Sequence, residues 1–305
     1  MPPPSAWSWS TRGAFLLLVL VWGLNYPFVN LGLEFASPLW LATLRAGLGA
    51  LTTLAVVTAQ RSWGTLGPAG RRDALLLGLP NTAVFFGLWF WAAQSVTPGI
   101  AAVMIYTFPL WVAVLSLPVL GYHLGAVQWG SVAVGFVGVA LISQVGIAGK
   151  TVVSLPAASA LLAAAVAWAL GTVVFQRRFQ RTEMMEANAY QLVGGTVGLI
   201  VATAILAPLP VPVASTDLFA SLVWIGILGT ALAYVIWFTL LGRTPAATLS
   251  AYLFLVPVVA LAASAVFFGE RLTLLQLVGV ALVLASIFGI ARAQGGSTPS
   301  GDDRR

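Results

Sequence analysis

Runs of about 20 apolar residues recur along the whole chain, and no other feature limits its fold so tightly, because a run of that length crosses a bilayer once as a helix. Lipid offers the backbone no hydrogen-bond partners, so each run must satisfy its own amides internally. Read between charges, glycines and prolines, the runs predict ten spans, at about 13–33, 38–59, 74–95, 99–120, 126–147, 155–176, 187–207, 218–241, 244–268 and 272–291. These take up nearly all of the 305 residues. Composition agrees: 60% of residues are apolar and 7% charged, where a soluble domain carries roughly 25% charge. An ordinary soluble domain and a disordered chain are both excluded. The first run has Asn25 and Pro27 at its middle and no small-residue cleavage site, which argues against a removable signal.

The net charge of +6 would raise the question of nucleic acid in a soluble protein, but here the position of each charge carries the information. With the N-terminus in the cytoplasm, Arg12, Arg61, Arg71, Arg72, Arg177, Arg178, Arg181, Arg243, Arg292, Arg304 and Arg305 lie inside, and only Lys150 and Arg271 outside. That asymmetry predicts cytoplasmic N- and C-termini. The absence of cysteine removes disulfides, thiolate metal sites and thiol nucleophiles.

Displacing the sequence by 148 brings Gly121, Leu124, Gln128, Val132 and Ala133 onto Gly269, Leu272, Gln276, Val280 and Ala281. A displacement of 147 brings Thr97-Pro98 onto Thr244-Pro245, and one of 146 brings Trp22 onto Trp168. The chain therefore reads as a duplication: residues 1–147 as a first five-helix repeat, 148–154 as an external linker, 155–292 as a second repeat and 293–305 as a disordered cytoplasmic tail. Five crossings is an odd number, so the second copy enters from the opposite face. The predicted fold is an all-α integral membrane protein of ten helices, two inverted five-helix repeats around a central cavity, the architecture of many secondary transporters.

Polar and aromatic side chains recur at helical spacing near mid-span. In the first half they are Trp22, Asn25 and Tyr26, then Asn81, Phe85 and Trp89, then Tyr106; in the second, Trp168, Thr172 and Phe175, then Thr230, Tyr234 and Trp237, then Ser250 and Tyr252. Asparagine at that depth is expected to face protein or a cavity. These residues are the candidate substrate-binding set, suited to a small, partly hydrophobic solute. Pro109 and Pro257, with Pro27 and Pro80 beside them, each remove a helix amide and are candidate hinges. Gly130, Gly135, Gly138 and Gly279 are expected to let helices approach closely. Arg45 is the one charge within a span; it reads either as a counter-charge for a substrate carboxylate or, the favoured expectation, as a structural charge that reaches outward and pairs with Glu34. No acid or histidine lies within a span, so transport is expected to be facilitative. An intramembrane enzyme would require histidine, cysteine, metal ligands or paired carboxylates that the spans lack.

Trp22-Gly23, Pro38 with Leu44-Arg45, Thr97-Pro98, and the stretch from Thr244-Pro245 through Pro257 to Phe268-Gly269-Glu270-Arg271-Leu272-Thr273 and Gln276 resemble the EamA-type repeats of the drug/metabolite transporter superfamily. The resemblance covers nearly the whole chain, in two copies. It implies an inner-membrane exporter of amino acids and related metabolites, with a cavity lined by the first, third, fourth, sixth, eighth and ninth helices. Arg45 matches the arginine usual in that family, and Glu270 belongs to its Gly-Glu pair as a structural charge. The first repeat departs from the pattern, carrying Gly121-Tyr122-His123 in place of a second Gly-Glu. The expected partners are a small-molecule substrate and the lipid bilayer, with no nucleic acid, cofactor or metal. A monomer is compatible with the sequence. Export of aromatic or other apolar amino acids by alternating access is the leading expectation, and a permease for amines, drugs or other uncharged metabolites, with proton coupling open to it, is the alternative.

Overall fold

The computed structural model describes residues 9–121, 125–143, 153–207, 209–244, 246–251, 253 and 255–295. Among these, the regular structure is helical throughout. The helices are α1 (Trp9–Leu33), α2 (Pro38–Ala59), α3 (Pro68–Gly78), α4 (Phe85–Ala93), α5 (Pro98–Ile105), α6 (Phe108–Leu120), α7 (Ala126–Ser143), α8 (Leu155–Arg178), α9 (Met184–Leu206), α10 (Thr216–Leu222), α11 (Ala233–Leu241), α12 (Ala246–Ala251), α13 (Leu255–Phe268) and α14 (Leu274–Gly295). Two π-helical segments, Leu79–Val84 and Val223–Leu232, run α3 into α4 and α10 into α11. Seven of the resulting helical segments are long and apolar enough to cross a membrane: Thr11–Leu33, Pro38–Ala59, Pro68–Ala93, Pro98–Leu120, Leu155–Arg178, Met184–Leu206 and Thr216–Leu241. Ala126–Ile142, Leu255–Phe268 and Leu274–Gly289 are apolar and shorter.

The helix ends follow from local chemistry. Pro38, Pro68 and Pro98 open α2, α3 and α5 after extended residues Ser37, Gly67 and Thr97, since proline has no amide to leave unpaired in the first turn. Ser154 and Ser215 cap α8 and α10, their hydroxyls accepting from the amides of Ala157 and Leu218. Helices α6 and α13 stop at Gly121 (φ +72°) and Gly269 (φ +62°), in the left-handed conformation that glycine adopts without penalty.

Several boundaries differ from expectation. The third span begins at Pro68 rather than near 74, because the proline starts a helix that carries Arg71, Arg72 and Asp73 in its first turns. Of the ninth, α12 (Ala246–Ala251) and α13 (Leu255–Phe268) are described with Leu253 between them, while Tyr252 and Phe254 lie outside the described residues. Helix α14 runs to Gly295, past the expected start of the tail at 293. The expected linker is described only at 153–154, and 296–305 lie outside the described residues, as do Tyr122, His123 and Lys150.

Helix α1 packs on α13 and α8 on α6; α2 packs on Val223–Leu232 and α9 on α3 and Leu79–Val84; α2 meets α9, and α7 meets α14. Small residues set these distances. A Cβ on Gly138 would lie 2.7 Å from the carbonyl oxygen of Gly279, and one on Gly279 would lie 2.7 Å from that of Gly138. Gly135 is held equally close to Leu110 and Ser286. Gly130 is a correction: nothing lies within 4 Å of where its Cβ would be, so it sets no close approach.

Candidate functional site

Trp22 of α1 and Trp168 of α8, one from each half of the chain, touch edge to face with ring centroids 5.5 Å apart. Around them the rings continue without a gap. Phe85 stacks on Trp168 at 5.1 Å and Phe108 stacks on its other side at 3.8 Å. Tyr26 lies 4.8 Å from Trp89 and 6.5 Å from Tyr106, and Trp22 lies 6.3 Å from Tyr234. Such edge and offset contacts suit the ring quadrupole and add about 0.5–1.5 kcal/mol per pair to the burial itself. They enclose a cavity lined by Trp22, Asn25, Tyr26, Arg45, Phe85, Trp89, Ile105, Tyr106, Trp168 and Tyr234. Its free volume is about 10 Å³, room for a single water molecule. A solute can enter only if the rings separate.

Arg45 overturns its expectation. It is 1% exposed and faces this cavity, while Glu34 is exposed and makes no ion pair with it. Its Nε donates to Thr230 Oγ1 at 3.0 Å and its Nη2 to the carbonyl of Gly229 at 3.4 Å. The guanidinium carbon sits 4.0 Å from the centre of the Phe86 ring, 5.0 Å from Trp89 and 5.5 Å from Phe90. Nη1 has no hydrogen-bond partner among the described residues. Burying an ion costs several kcal/mol and a cation–π contact returns about 0.5–2 kcal/mol, so the cation is only partly compensated. The physical reason for the miss is rotational: α2 packs against Val223–Leu232, and the face that meets that segment is the one carrying Arg45.

The two asparagines separate. Asn25 lines the cavity and lies against Gly229, leaving no room for a Cβ there. Asn81 does not line it. Its Nδ2 donates to Gln191 Oε1 at 2.7 Å, and Gln191 Nε2 donates to Asn188 Oδ1 at 3.0 Å, making a buried amide chain with α9. Thr172, Phe175, Thr230, Trp237 and Ser250 are buried but outside the cavity lining; Phe175 packs on Phe179 and Phe238, and Trp237 stands behind Trp22 and Trp168. Tyr252 lies outside the described residues. Sequence reasoning set Arg45 aside as a lining residue and missed Ile105, together with the amide chain through Gln191 and Asn188.

The prolines behave differently from one another. Helix α5 ends at Ile105 and α6 starts at Phe108, with Pro109 just beyond the break, so Ile105 and Tyr106 are delivered to the cavity at an interrupted rod. Pro257 is the third residue of α13. Pro80 lies inside Leu79–Val84, whereas Pro27 lies inside α1 without breaking it. Carboxylates sit at helix ends, away from the rings. Glu270 accepts from Thr97 Oγ1 at 2.5 Å, from the amide of Gly99 at 3.0 Å and from Ser264, so it caps α5 from the other half of the chain. Glu186 accepts from Thr65 and Leu66 and pairs with Arg71 at 3.4 Å. Gln176 of α8 donates to the carbonyls of Leu241 and Thr244 and accepts from the amide of Ala246, bridging to the start of α12.

The model of the EamA-like transporter family matches twice, over residues 11–144 and 155–292. The chain is 30% identical over 279 residues to the uncharacterized transporter YvbV of Bacillus subtilis, covering 91% of this chain and 90% of that one. It is 30% identical over 285 residues to a protein of Escherichia coli described as a probable amino-acid metabolite efflux pump, covering 90% and 92%. It is 29% identical over 287 residues to a probable terminal-alkyne amino-acid exporter of Streptantibioticus cattleyicolor, covering 92% of each. One solved protein structure shares the fold, with a TM-score of 0.68 at 19% identity over 93% of this chain and 98% of that one.

Proposed function

The chain belongs to the EamA-like transporter family and is a multi-pass membrane protein, and from that premise we propose that it is an inner-membrane exporter of small, partly hydrophobic metabolites, foremost aromatic or other apolar amino acids. The observation that carries this reading is the contact of Trp22 with Trp168 at the heart of an aromatic cavity to which both halves contribute. A few polar groups among rings suit an organic solute with one polar end. Relatives described as amino-acid exporters support the same class.

The mechanism we propose is alternating access by ten helices in two inverted five-helix halves, with both termini cytoplasmic. Support comes from packing. Exchanging first for sixth, second for seventh and so on turns the contact of α1 with α13 into that of α8 with α6, and that of α2 with Val223–Leu232 into that of α9 with Leu79–Val84. The pair α7 and α14 maps onto itself through the reciprocal glycines. The family model matches once in each half. Two similar halves can exchange conformations about a pseudo-two-fold axis in the membrane plane, giving two packings that each open one end of the cavity. Pro109, just beyond the break between α5 and α6, and Pro257 in the first turn of α13 are the proposed hinges, and Pro27 and Pro80 are secondary candidates.

Transport is facilitative in this reading. No acid lines the cavity among the described residues, and buried Glu186 is already engaged by Thr65, Leu66 and Arg71. The test is efflux of labelled aromatic and branched-chain amino acids from proteoliposomes. Saturable efflux that falls more than about tenfold in Trp168→Ala, with membrane insertion intact, is the expected result. Absence of flux for every solute in a folded preparation overturns the reading.

A further inference from the structure

We infer that the path also carries organic monoanions, their carboxylate anchored on Arg45 and their apolar body held by the rings of Trp22, Trp89 and Trp168, so that each such event moves one negative charge. The inference rests on the reading above, that this cavity is the transport path.

Three observations lead to it. The first is an unbalanced cation: Arg45 is 1% exposed, lines the cavity, and has Nη1 without a partner among the described residues. Its Nε and Nη2 are held by Thr230 and Gly229, which fixes the plane of the guanidinium. A planar fork with one free edge matches a carboxylate better than any other common solute group. The second is the lack of a matching acid, since no Asp or Glu lines the cavity among the described residues. The third is the sign of the remaining polarity. Among the described residues that line the cavity, Trp89 Nε1 is a second donor without a partner, the Tyr234 hydroxyl can donate or accept, and Asn25 Oδ1 is an unpartnered acceptor.

These groups rank solutes by charge. A monoanion neutralises Arg45, a zwitterion leaves the cavity with the net charge it had when empty, and an amine adds a second cation to the first. An α-amino acid fits through its carboxylate, and its ammonium meets Asn25 Oδ1, the Tyr234 hydroxyl and ring faces. The hydroxy acid of the same shape makes the same carboxylate contact and also neutralises the cation. Amines, one of the alternatives open at the level of sequence, are disfavoured. An anion leaving a cell that is negative inside moves down the electrical gradient, so outward transport needs no coupling ion.

The test uses the full-length protein in proteoliposomes with 3-phenyllactate, phenylalanine and 2-phenylethylamine, which share a ring and differ in charge. Each solute starts at equal concentration on both sides, and valinomycin with a tenfold outward potassium gradient makes the interior negative. A carried monoanion must fall inside to about one tenth of its outside concentration, whereas a zwitterion stays level. We expect phenyllactate to redistribute in this way and faster than in protein-free vesicles, and phenylethylamine to show no protein-dependent flux. Phenyllactate that does not move while phenylalanine exchanges overturns the inference and leaves the exporter reading intact. Failure of all three solutes and of the wider amino-acid panel overturns both. Arg45→Gln should lower phenyllactate flux at least about tenfold, with Arg45→Lys recovering part of it and all of the voltage response. Undiminished flux in Arg45→Gln overturns the anchor, and the voltage experiment on the parent protein stands if that variant does not fold.

Discussion

Two crossings in the molecule share a frame and differ in chemistry. Where α2 meets Val223–Leu232, a Cβ on Gly49 would lie 2.5 Å from Thr230 Cγ2 and 3.3 Å from the carbonyl of Gly226. Where α9 meets Leu79–Val84, a Cβ on Gly195 would lie against Thr82 and 2.7 Å from the carbonyl of Gly78. The glycines and threonines correspond, and so do the asparagines, with the two walls exchanged: Asn25 lies against Gly229 in the first crossing, and Asn81 against Gly171 in the second. On that common frame Arg45 reaches Thr230 and Gly229, and Gln191, 146 residues later, reaches Asn81. The amide chain of the second crossing runs from Asn81 through Gln191 to Asn188, leaves Asn81 Oδ1 and Asn188 Nδ2 without partners among the described residues, and does not line the cavity. The cation of the first is left partly unpaired and turned into it. Small residues thus make the two walls alike, and a single substitution of charge makes one of them a site.

The comparison can be broken most directly at the glycines. Gly229→Ala and Gly171→Ala should each cost the upper part of the about 1–3 kcal/mol of an overpacked core, read as thermal unfolding in detergent, with Asn25→Gly and Asn81→Gly respectively restoring the loss. If either rescue fails, the exchanged-wall correspondence is wrong. A somewhat smaller effect is expected for Gln191→Leu, which strands the amides of Asn81 and Asn188; it should destabilise by about 1–3 kcal/mol and leave flux per folded molecule unchanged. Loss of flux there would move the second crossing into the transport path. Asn25→Ala and Asn81→Ala sharpen the contrast kinetically: about tenfold less flux is expected from the first and under about twofold change from the second. The smallest effect should come from Glu270→Gln. It keeps an acceptor for the α5 amide and should cost only about 0.5–1 kcal/mol in the same unfolding assay.

Which stretches form apolar helices was legible in the sequence, and direction around a helix was not. The apolar runs locate the spans, and the offset linking Trp22 to Trp168 anticipates two rings that do meet. Helical spacing also aligned Trp22, Asn25 and Tyr26, because α1 is regular through that stretch. It failed for Asn81, expected on one stripe with Phe85 and Trp89. Asn81 sits in Leu79–Val84, and a π turn holds more residues than an α turn, so a spacing of four no longer returns to the same face. Thr230, in Val223–Leu232, was misjudged for the same reason, while Tyr234 beyond that segment does line the cavity. Arg45 was misread because hydropathy reports how far a residue lies from the surface and is silent on which neighbour its helix leans against. The relation of Arg45 to Gln191 by the Trp22–Trp168 offset was available as a clue, since it placed the charge on a helix face that the other copy uses for protein contact.

The rings of Trp22, Phe85, Phe108 and Trp168 close on one another until the space between them holds no more than one water. A file of waters long enough to relay protons cannot thread such a gap. Closed in this way, the rings offer protons no path of water, which is what a carrier of the proposed kind needs if it is to stand idle in a charged membrane.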